Sequence, residues 1–345
     1  MTHIPTLELP SLTVLPLTVS HKHLLVDSQK AVLALFPAWK PTDLDLIQCK
    51  DGITNKLVRC TNRRNGTSVL IRAYGKNSEV LIDRNQELIN IYILSQLGLC
   101  PPLYGKFNNG IVYGYVPGDI VKVPQMSDPH ISELVAKRIA GWHKVEIPGP
   151  KTSTLFVTLR KWLEQVEAVY SEKEPSHRFH QLFSLDKLRS ELDHLQDKLE
   201  CLNAPVVFSH NDLLSANIIY NRAEDKVSFI DHEYASYNYR GFDIGNHFAE
   251  FAGFDCQYNL YPDQAFQLTW LGHYLKAAND GQAATDDEIY ELYREVNKFY
   301  LASHFYWALW AMVQAGFSDI DFDYMNYAKL RFDEYYRRHD ELLSL

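Results

Sequence analysis

An α+β fold, with a strand-rich first lobe and a helix-rich second lobe, is predicted by three features of this 345-residue sequence. Short runs of Val, Leu and Ile separated by turn chemistry fill the first third. Helical periodicity dominates from about Pro117 onward, and only three strand-like runs interrupt it. The length suffices for two lobes, each with its own core, and such a pair places a cleft between them. The expected divisions are a variable N-terminal segment at 1–40, a first lobe at 41–116 and a second at 117–345.

In the first lobe, "LDLIQCK", "NKLVRC" and "SVLIRAYG" read as strands divided at Asp51-Gly52 and Asn65-Gly66. The second pair is a strong hairpin signal. The segment "SEVLIDRNQELINIYILSQLG" reads as a helix from Ser78, stopped by Gly98 with Pro101-Pro102 beyond it. "LYGKF" and "GIVYGYV" flank Asn108-Asn109-Gly110 and form a further hairpin. In the second lobe, helices are expected at 131–145, 154–171, 184–202, 262–279, 285–316 and 320–341. The strands there are "VVFSH", "NIIY" and "KVSFI", and "GFDIGNHFAEF" reads as a buried helix.

Composition narrows the function. Hydrophobic residues make up 46% and charge is mixed along the chain, as in a folded globular protein. A formal net charge of −9 argues against a nucleic-acid or anionic-membrane binder and says nothing against a small cationic ligand. Five scattered cysteines without C-x-x-C spacing suggest reduced thiols and a cytoplasmic protein. The proline-interrupted N-terminus lacks a basic region and does not read as a signal peptide. The most apolar segment, "LASHFYWALWAMVQAGF", is too short and polar for membrane insertion.

The stretch "VVFSHNDLLSANIIY" carries the chemistry. It sets His210, Asp212 and Asn217 between two apolar runs, and Asp231 ends a third run fourteen residues after Asn217. Phosphoryl transfer requires a metal on the terminal phosphates, a cation on the phosphate oxygens and a carboxylate near the attacking hydroxyl. Asp212 can accept the hydroxyl proton. Asn217 offers a neutral oxygen and Asp231 a charged one, a donor pair suited to Mg²⁺. Arg72, in "VLIRAYG", supplies the cation. Taken singly, each piece has an ordinary explanation: turn chemistry for Asp212 and Asn217, a cap for Asp231, a surface ion pair for Arg72. Their joint order and context favour a kinase site. His210, which precedes the loop, reads as an orienting core residue.

These residues, with "DGITNKL", "FIDHEYASYNYRGFDIGNHFAEF" and "LASHFYWALWAMVQA", make the sequence resemble the choline/ethanolamine kinase family from about Asp51 to its C-terminus. The resemblance implies a protein-kinase-like bilobal fold and the use of ATP and Mg²⁺. It implies Asp212 as catalytic base, Asn217 and Asp231 as magnesium ligands, and Glu233 as a further acidic residue near the metal. It places Arg72 on the ATP phosphates, paired with Glu87, and the turn of Gly52, Ile53, Thr54 and Asn55 over them. The backbone from Tyr113 through Tyr115 to Val116 would meet adenine, although Gly114 stands where an acidic or polar residue is more usual.

Trp307, Trp310, Tyr324 and Tyr327 offer ring faces that can hold an ammonium. At helical spacing such rings are often simply core. The resemblance implies that Trp307, Trp310 and Tyr327, with Tyr234 and Glu250, surround an amino-alcohol substrate. The expected reaction is therefore ATP-dependent phosphorylation of ethanolamine, the first step of the CDP-ethanolamine route to phosphatidylethanolamine. Choline, or an aminoglycoside-type acceptor, is the alternative, and a catalytically silent binding protein is a reading from another class. Ethanolamine is preferred because Phe251-Ala252-Gly253 follows Glu250 where choline users carry more aromatics. A homodimer is left open.

Overall fold

The computed structural model describes residues 12–49, 55–75, 78–170, 176–318 and 320–345. The expected turn at Asp51-Gly52, including Gly52, Ile53 and Thr54, lies outside them. The chain forms two compact units that divide between Pro117 and Gly118.

Among the described residues the first unit is a six-stranded sheet with two α-helices. In chain order it contains β1 (Thr13–Leu15), α1 (Leu24–Leu35), β2 (Leu44–Cys49), β3 (Lys56–Asn62), β4 (Ser68–Ala73), α2 (Arg84–Gln96), β5 (Leu103–Phe107) and β6 (Gly110–Gly114). The sheet order is β1-β5-β6-β4-β3-β2, antiparallel except where β1 joins β5. Alternation along β3 and β4 sends Val58, Cys60, Val69 and Ile71 into a core that α1 covers with Ala31 and Val32. Residues 12–40 therefore contribute a strand and a helix that the sequence reading did not assign. Asn109, in the β5–β6 turn, holds this segment by pairing with both backbone groups of Val19 at 3.0 and 2.9 Å.

Helix α2 begins later than expected. Asp83 caps it, accepting the N–H groups of Asn85 and Gln86, both at 3.0 Å, after a separate 3₁₀ turn at Ser78–Val80. It ends as expected, where Gly98 adopts φ +67°.

The second unit contains β7 (Asp119–Ile120), α3 (Pro129–Trp142), α4 (Leu155–Tyr170), α5 (Ser176–Leu182), α6 (Leu185–Glu200), β8 (Val206–Ser209), β9 (Ile218–Asn221), β10 (Lys226–Phe229), β11 (Ser236–Tyr239), α7 (Arg240–Ala249), α8 (Gln264–Ala278), α9 (Asp286–Phe317) and α10 (Tyr324–Ser344). Two strands correct the expectation of three. β7 has only two residues and extends the β9–β10 hairpin, and β11 pairs antiparallel with β8. Both are too short to show periodicity, so their partners define them.

Helix α9 organises this unit. Its 32 residues span about 48 Å, and nearly every side chain from Val296 to Gln314 is buried. A helix apolar all round is either a membrane span or the centre of a core. Among the described residues no helix is long and apolar enough to cross a membrane. Here α7, α10 and α4 surround α9. α7 approaches most closely at Gly245, where a Cβ would meet Val296 O at 2.7 Å and Tyr300 N at 2.9 Å.

This contact yields a paired prediction. Gly245→Ala forces two backbones apart and should lower unfolding free energy by about 2–3 kcal/mol. Gly272→Ala, on α8 with its nearest neighbour at 3.5 Å, should instead raise stability by about 0.5 kcal/mol, because alanine restricts the unfolded chain. Urea unfolding of both variants checks the opposite signs; equal effects would refute the close approach.

Candidate active site

The loop from His210 to Asn217 is fixed by a carboxylate 32 residues beyond Asn211. Asp243, in the first turn of α7, accepts the N–H of Asn211 at 2.7 Å and that of His210 at 3.1 Å. It also receives His143 Nε2 at 2.9 Å, and His143 Nδ1 meets the Tyr274 hydroxyl at 2.8 Å. Burial pushes the Asp243 carboxyl up. The hydrogen bond and charge of His143, with His210 and the Asn211 N–H, outweigh it and hold Asp243 below its ordinary value.

That anchoring lets Asn211 adopt φ +65°, an uncommon conformation for a residue with a side chain. Its amide is held from three sides: Nδ2 donates to Tyr234 O and Ser236 Oγ, both at 2.9 Å, and Oδ1 accepts from Asn238 at 3.0 Å. His210 is buried and donates Nε2–H to Ile230 O at 3.0 Å, with burial lowering its pKa. It packs among the rings of Trp142, Phe229 and His232, consistent with an orienting core residue.

Asp212 follows Asn211 and is buried. Asn217 Nδ2 donates to its carbonyl at 2.8 Å and to Oδ2 at 3.1 Å, which turns the amide oxygen of Asn217 toward other partners. Burial pushes the Asp212 carboxyl well above the ordinary range. The charges of Asp231, Glu250 and Glu233 push the same way, against the Asn217 bond. The loop thus brings four carboxylates and one amide into electrostatic range. Asp231 itself has φ +61° just beyond β10.

The aromatic residues adjoin this loop. Trp307 and Trp310 meet edge to face at 5.6 Å, and Tyr234 packs edge-on against Trp307 at 5.4 Å. Trp310 Nε1 donates to the Tyr234 hydroxyl at 2.8 Å, and Tyr324 closes on Trp310 at 5.8 Å. Tyr327 feels the charges of Glu250 and Asp212. Glu250 is not a lone acceptor, since its Oε1 pairs with the buried Arg331 Nη1 at 3.1 Å. The Arg331 guanidinium also lies over the Tyr327 ring at 5.6 Å.

Sequence reasoning missed Phe254 and Phe322. Their rings lie 6.0 and 5.8 Å from Tyr327. Phe251 turns instead toward His247, Phe248 and Phe266. The loop after Gly253 and the chain before α10 thus add two rings beside Tyr327 that Phe251-Ala252-Gly253 does not reveal. Only spacing by fold, and no local pattern, could have revealed them.

In the first unit, Arg72 of β4 pairs with Glu87 of α2, both buried, and Arg84 Nη1 reaches the second Glu87 oxygen at 2.9 Å. Asn55 Oδ1 accepts Gly75 N and Arg84 Nη2, each at 3.4 Å. Along β6 the Tyr113 ring lies 5.9 Å from the Arg72 guanidinium. Beyond it Gly114 N donates to Pro102 O at 2.9 Å and Tyr115 N to Ser68 O at 3.3 Å. Those two N–H groups serve the sheet.

One buried group beside the loop gives a pH prediction. His247 donates Nδ1–H to Leu213 O at 2.9 Å, and burial lowers its pKa from 6.5 to about 4. The unfolded chain takes up a proton below pH 6.5 that the folded chain refuses. Stability is therefore intact above 6.5 and falls as pH drops toward 4, by about 1.4 kcal/mol per unit from this residue. His247→Gln keeps an N–H donor without the titration. Its unfolding free energy should fall roughly 1 kcal/mol less than wild type between pH 6.5 and 5.5. Parallel urea profiles would exclude the effect.

Comparison with known proteins gives the family and the fold. The choline/ethanolamine kinase family model matches residues 46–336. The probable ethanolamine kinase A of Dictyostelium discoideum is 42% identical over 311 residues, covering 89% of this chain and 88% of that protein. Ethanolamine kinase 1 of Mus musculus is 39% identical over 321 residues, covering 90% and 88%. The solved structure of a Plasmodium vivax ethanolamine kinase superposes with a TM-score of 0.84 at 27% identity, covering 92% of this chain and 89% of that one. The expected α+β, protein-kinase-like fold is borne out. The chain belongs to the choline/ethanolamine kinase family.

Proposed function

We propose that this protein is an ATP-dependent ethanolamine kinase that forms phosphoethanolamine in the cytoplasm and so feeds the CDP-ethanolamine route. The observation that carries the reading is the buried Asp212, bonded to Asn217 and within electrostatic range of both further carboxylates and the Tyr234–Tyr327 rings. The first unit serves as the nucleotide-binding lobe and the second as the catalytic and substrate-binding lobe.

In this reading Asp212 takes the proton from the substrate hydroxyl as the oxygen attacks the terminal phosphorus of ATP, the bond from that phosphorus to the bridging oxygen breaks and ADP leaves. Asn217 holds Asp212 in place through Nδ2. Arg72, aligned by Glu87, steadies the phosphates. Asn55 covers them, and the Tyr113–Tyr115 backbone borders adenine. The donor set suits magnesium: Asn217, Asp231 and Glu233 offer hard oxygens, and the negative charge that Asp231 and Glu233 place near Asp212 is one a cation would offset. When bound there, Mg²⁺ would neutralise phosphate charge.

The ammonium lies against the Trp307, Trp310 and Tyr327 rings, with Tyr234 bracing Trp310 and Glu250 supplying negative charge. A primary ammonium has three N–H donors and finds oxygen acceptors at Glu250, whereas a trimethylated head relies on rings and shape alone. Phe254 and Phe322 add rings beside Tyr327. The acidic acceptors and the names of the relatives favour ethanolamine.

Asp212→Asn should keep ATP binding and reduce phosphoryl transfer by about 10²–10⁴-fold, as loss of a positioned base does. Near-wild-type turnover would remove Asp212 from the mechanism. Measuring ADP release with ethanolamine, its N-methylated forms and choline at equal concentration tests the acceptor. The highest kcat/KM should belong to ethanolamine; a preference for choline overturns the acceptor while leaving the kinase reading in place.

A further inference from the structure

Asn246, on the buried face of α7, is bonded at both ends of its amide. Oδ1 accepts from Trp307 Nε1 at 2.6 Å and from Ser303 Oγ at 2.7 Å, while Nδ2 donates to the Asn211 carbonyl at 3.2 Å. The side chain is fully buried. Partner chemistry fixes its direction. An indole nitrogen can only donate. Arg331 Nη2, 3.2 Å from Ser303 Oγ, also can only donate, so the single hydroxyl proton of Ser303 is left for Asn246. Two donors at one end require the amide oxygen there. The Asn211 carbonyl requires the nitrogen at the other end.

One side chain therefore grips the backbone next to Asp212 with one end and the ring of Trp307 with the other. We propose that Asn246 is a positioning residue that sets the Trp307 ring relative to the Asp212 loop. The ammonium then rests on the ring while the hydroxyl lies at Asp212. A substrate bound at both ends responds to this distance, because a small misplacement of reacting groups lowers the rate steeply. The Arg331–Ser303 arm holds the oxygen end and ties the same amide to Glu250, the partner of Arg331. The inference rests on the amino-alcohol reading above. A purely structural Asn246 would only satisfy buried donors and would show no specific link to Trp307.

A double-mutant cycle separates these roles. Trp307→Phe keeps a ring and removes the N–H; Asn246→Ser shortens the amide; the third variant carries both changes. If Asn246 acts through Trp307, each single change should lower kcat/KM for ethanolamine at least tenfold with KM for ATP within about twofold of wild type. The double variant should then be within about threefold of Asn246→Ser. Losses that multiply, or an equal rise in both Michaelis constants, overturn the proposal. Should Asn246→Ser fail to fold, Ser303→Ala takes its place in the cycle, since it removes the other donor to the same oxygen. Wild-type protein in the same assay tests the underlying reading. If it transfers phosphate to no amino-alcohol, that reading fails and the inference with it, whereas normal wild-type turnover with additive losses defeats the inference alone.

Discussion

The carboxylate of Asp243 is the interaction on which the rest of the second unit depends. A buried carboxylate is unfavourable unless hydrogen bonds replace its water. Here two backbone N–H groups and His143 do so, and the carboxyl remains below its ordinary pKa despite burial. The same bonds cap the end of β8 and hold Asn211 in its left-handed conformation. An unsupported left-handed residue costs about 1–2 kcal/mol. Because the anchor and the Asn211 side-chain bonds are made by different groups, loss of one leaves the other strained. Asp212 inherits its direction from this arrangement.

Packing explains why the anchor can lie 32 residues from Asn211. α7 carries Asp243 on its first turn and Asn246 and His247 on the next, so one short helix meets the loop at Asn211 and at Leu213. Its other side lies against α9, where Gly245 allows contact between backbones and Gly241 makes room for the side chains of Glu295 and Phe299. A helix seated this closely has little freedom to slide, and interior packing is dense enough to transmit that constraint. α9 in turn carries Ser303, Trp307 and Trp310 at helical spacing on the side that faces α7 and Tyr234. Loop and rings are thus registered through one helix pair.

What the sequence disclosed follows the range of the interactions involved. The strands β2 to β6, the hairpin at Asn108-Asn109 and the long helices were legible because periodicity and turn residues are local. The polar loop was legible as a site because Asp212 and Asn217 lie between two apolar runs, a context that solvent does not explain. The late start of α2 was missed because Asp83 sits inside an apolar stretch that satisfies helical periodicity from Ser78 onward. β11 was hidden in a polar run, "SYNY", whose strand character exists only through β8. Arg331 was hidden for a different reason. It stands 81 residues from Glu250, and nothing near it in the chain signals a buried cation. Phe254 and Phe322 reach Tyr327 from two loops that no periodicity connects.

Charge shows how these pieces belong together. Asp212 is destabilised in its ionised form by burial and by three carboxylates around it, a cost the folded chain carries permanently. Arg331 offsets part of it at Glu250, and its bond to Ser303 fixes where that positive charge stands. Replacing the group with apolar side chains of similar volume would be expected to stabilise the fold, as buried ion pairs often show. Retaining it makes physical sense if cations arrive: an ammonium at the rings and a divalent ion at Asn217 and Asp231. In the proposed reaction the ammonium and the divalent ion bring positive charge to a place rich in carboxylates. The same acidic cluster that weakens the empty protein then favours assembly of the reacting complex, and the Asn246 amide keeps the ammonium and hydroxyl ends of that complex in register.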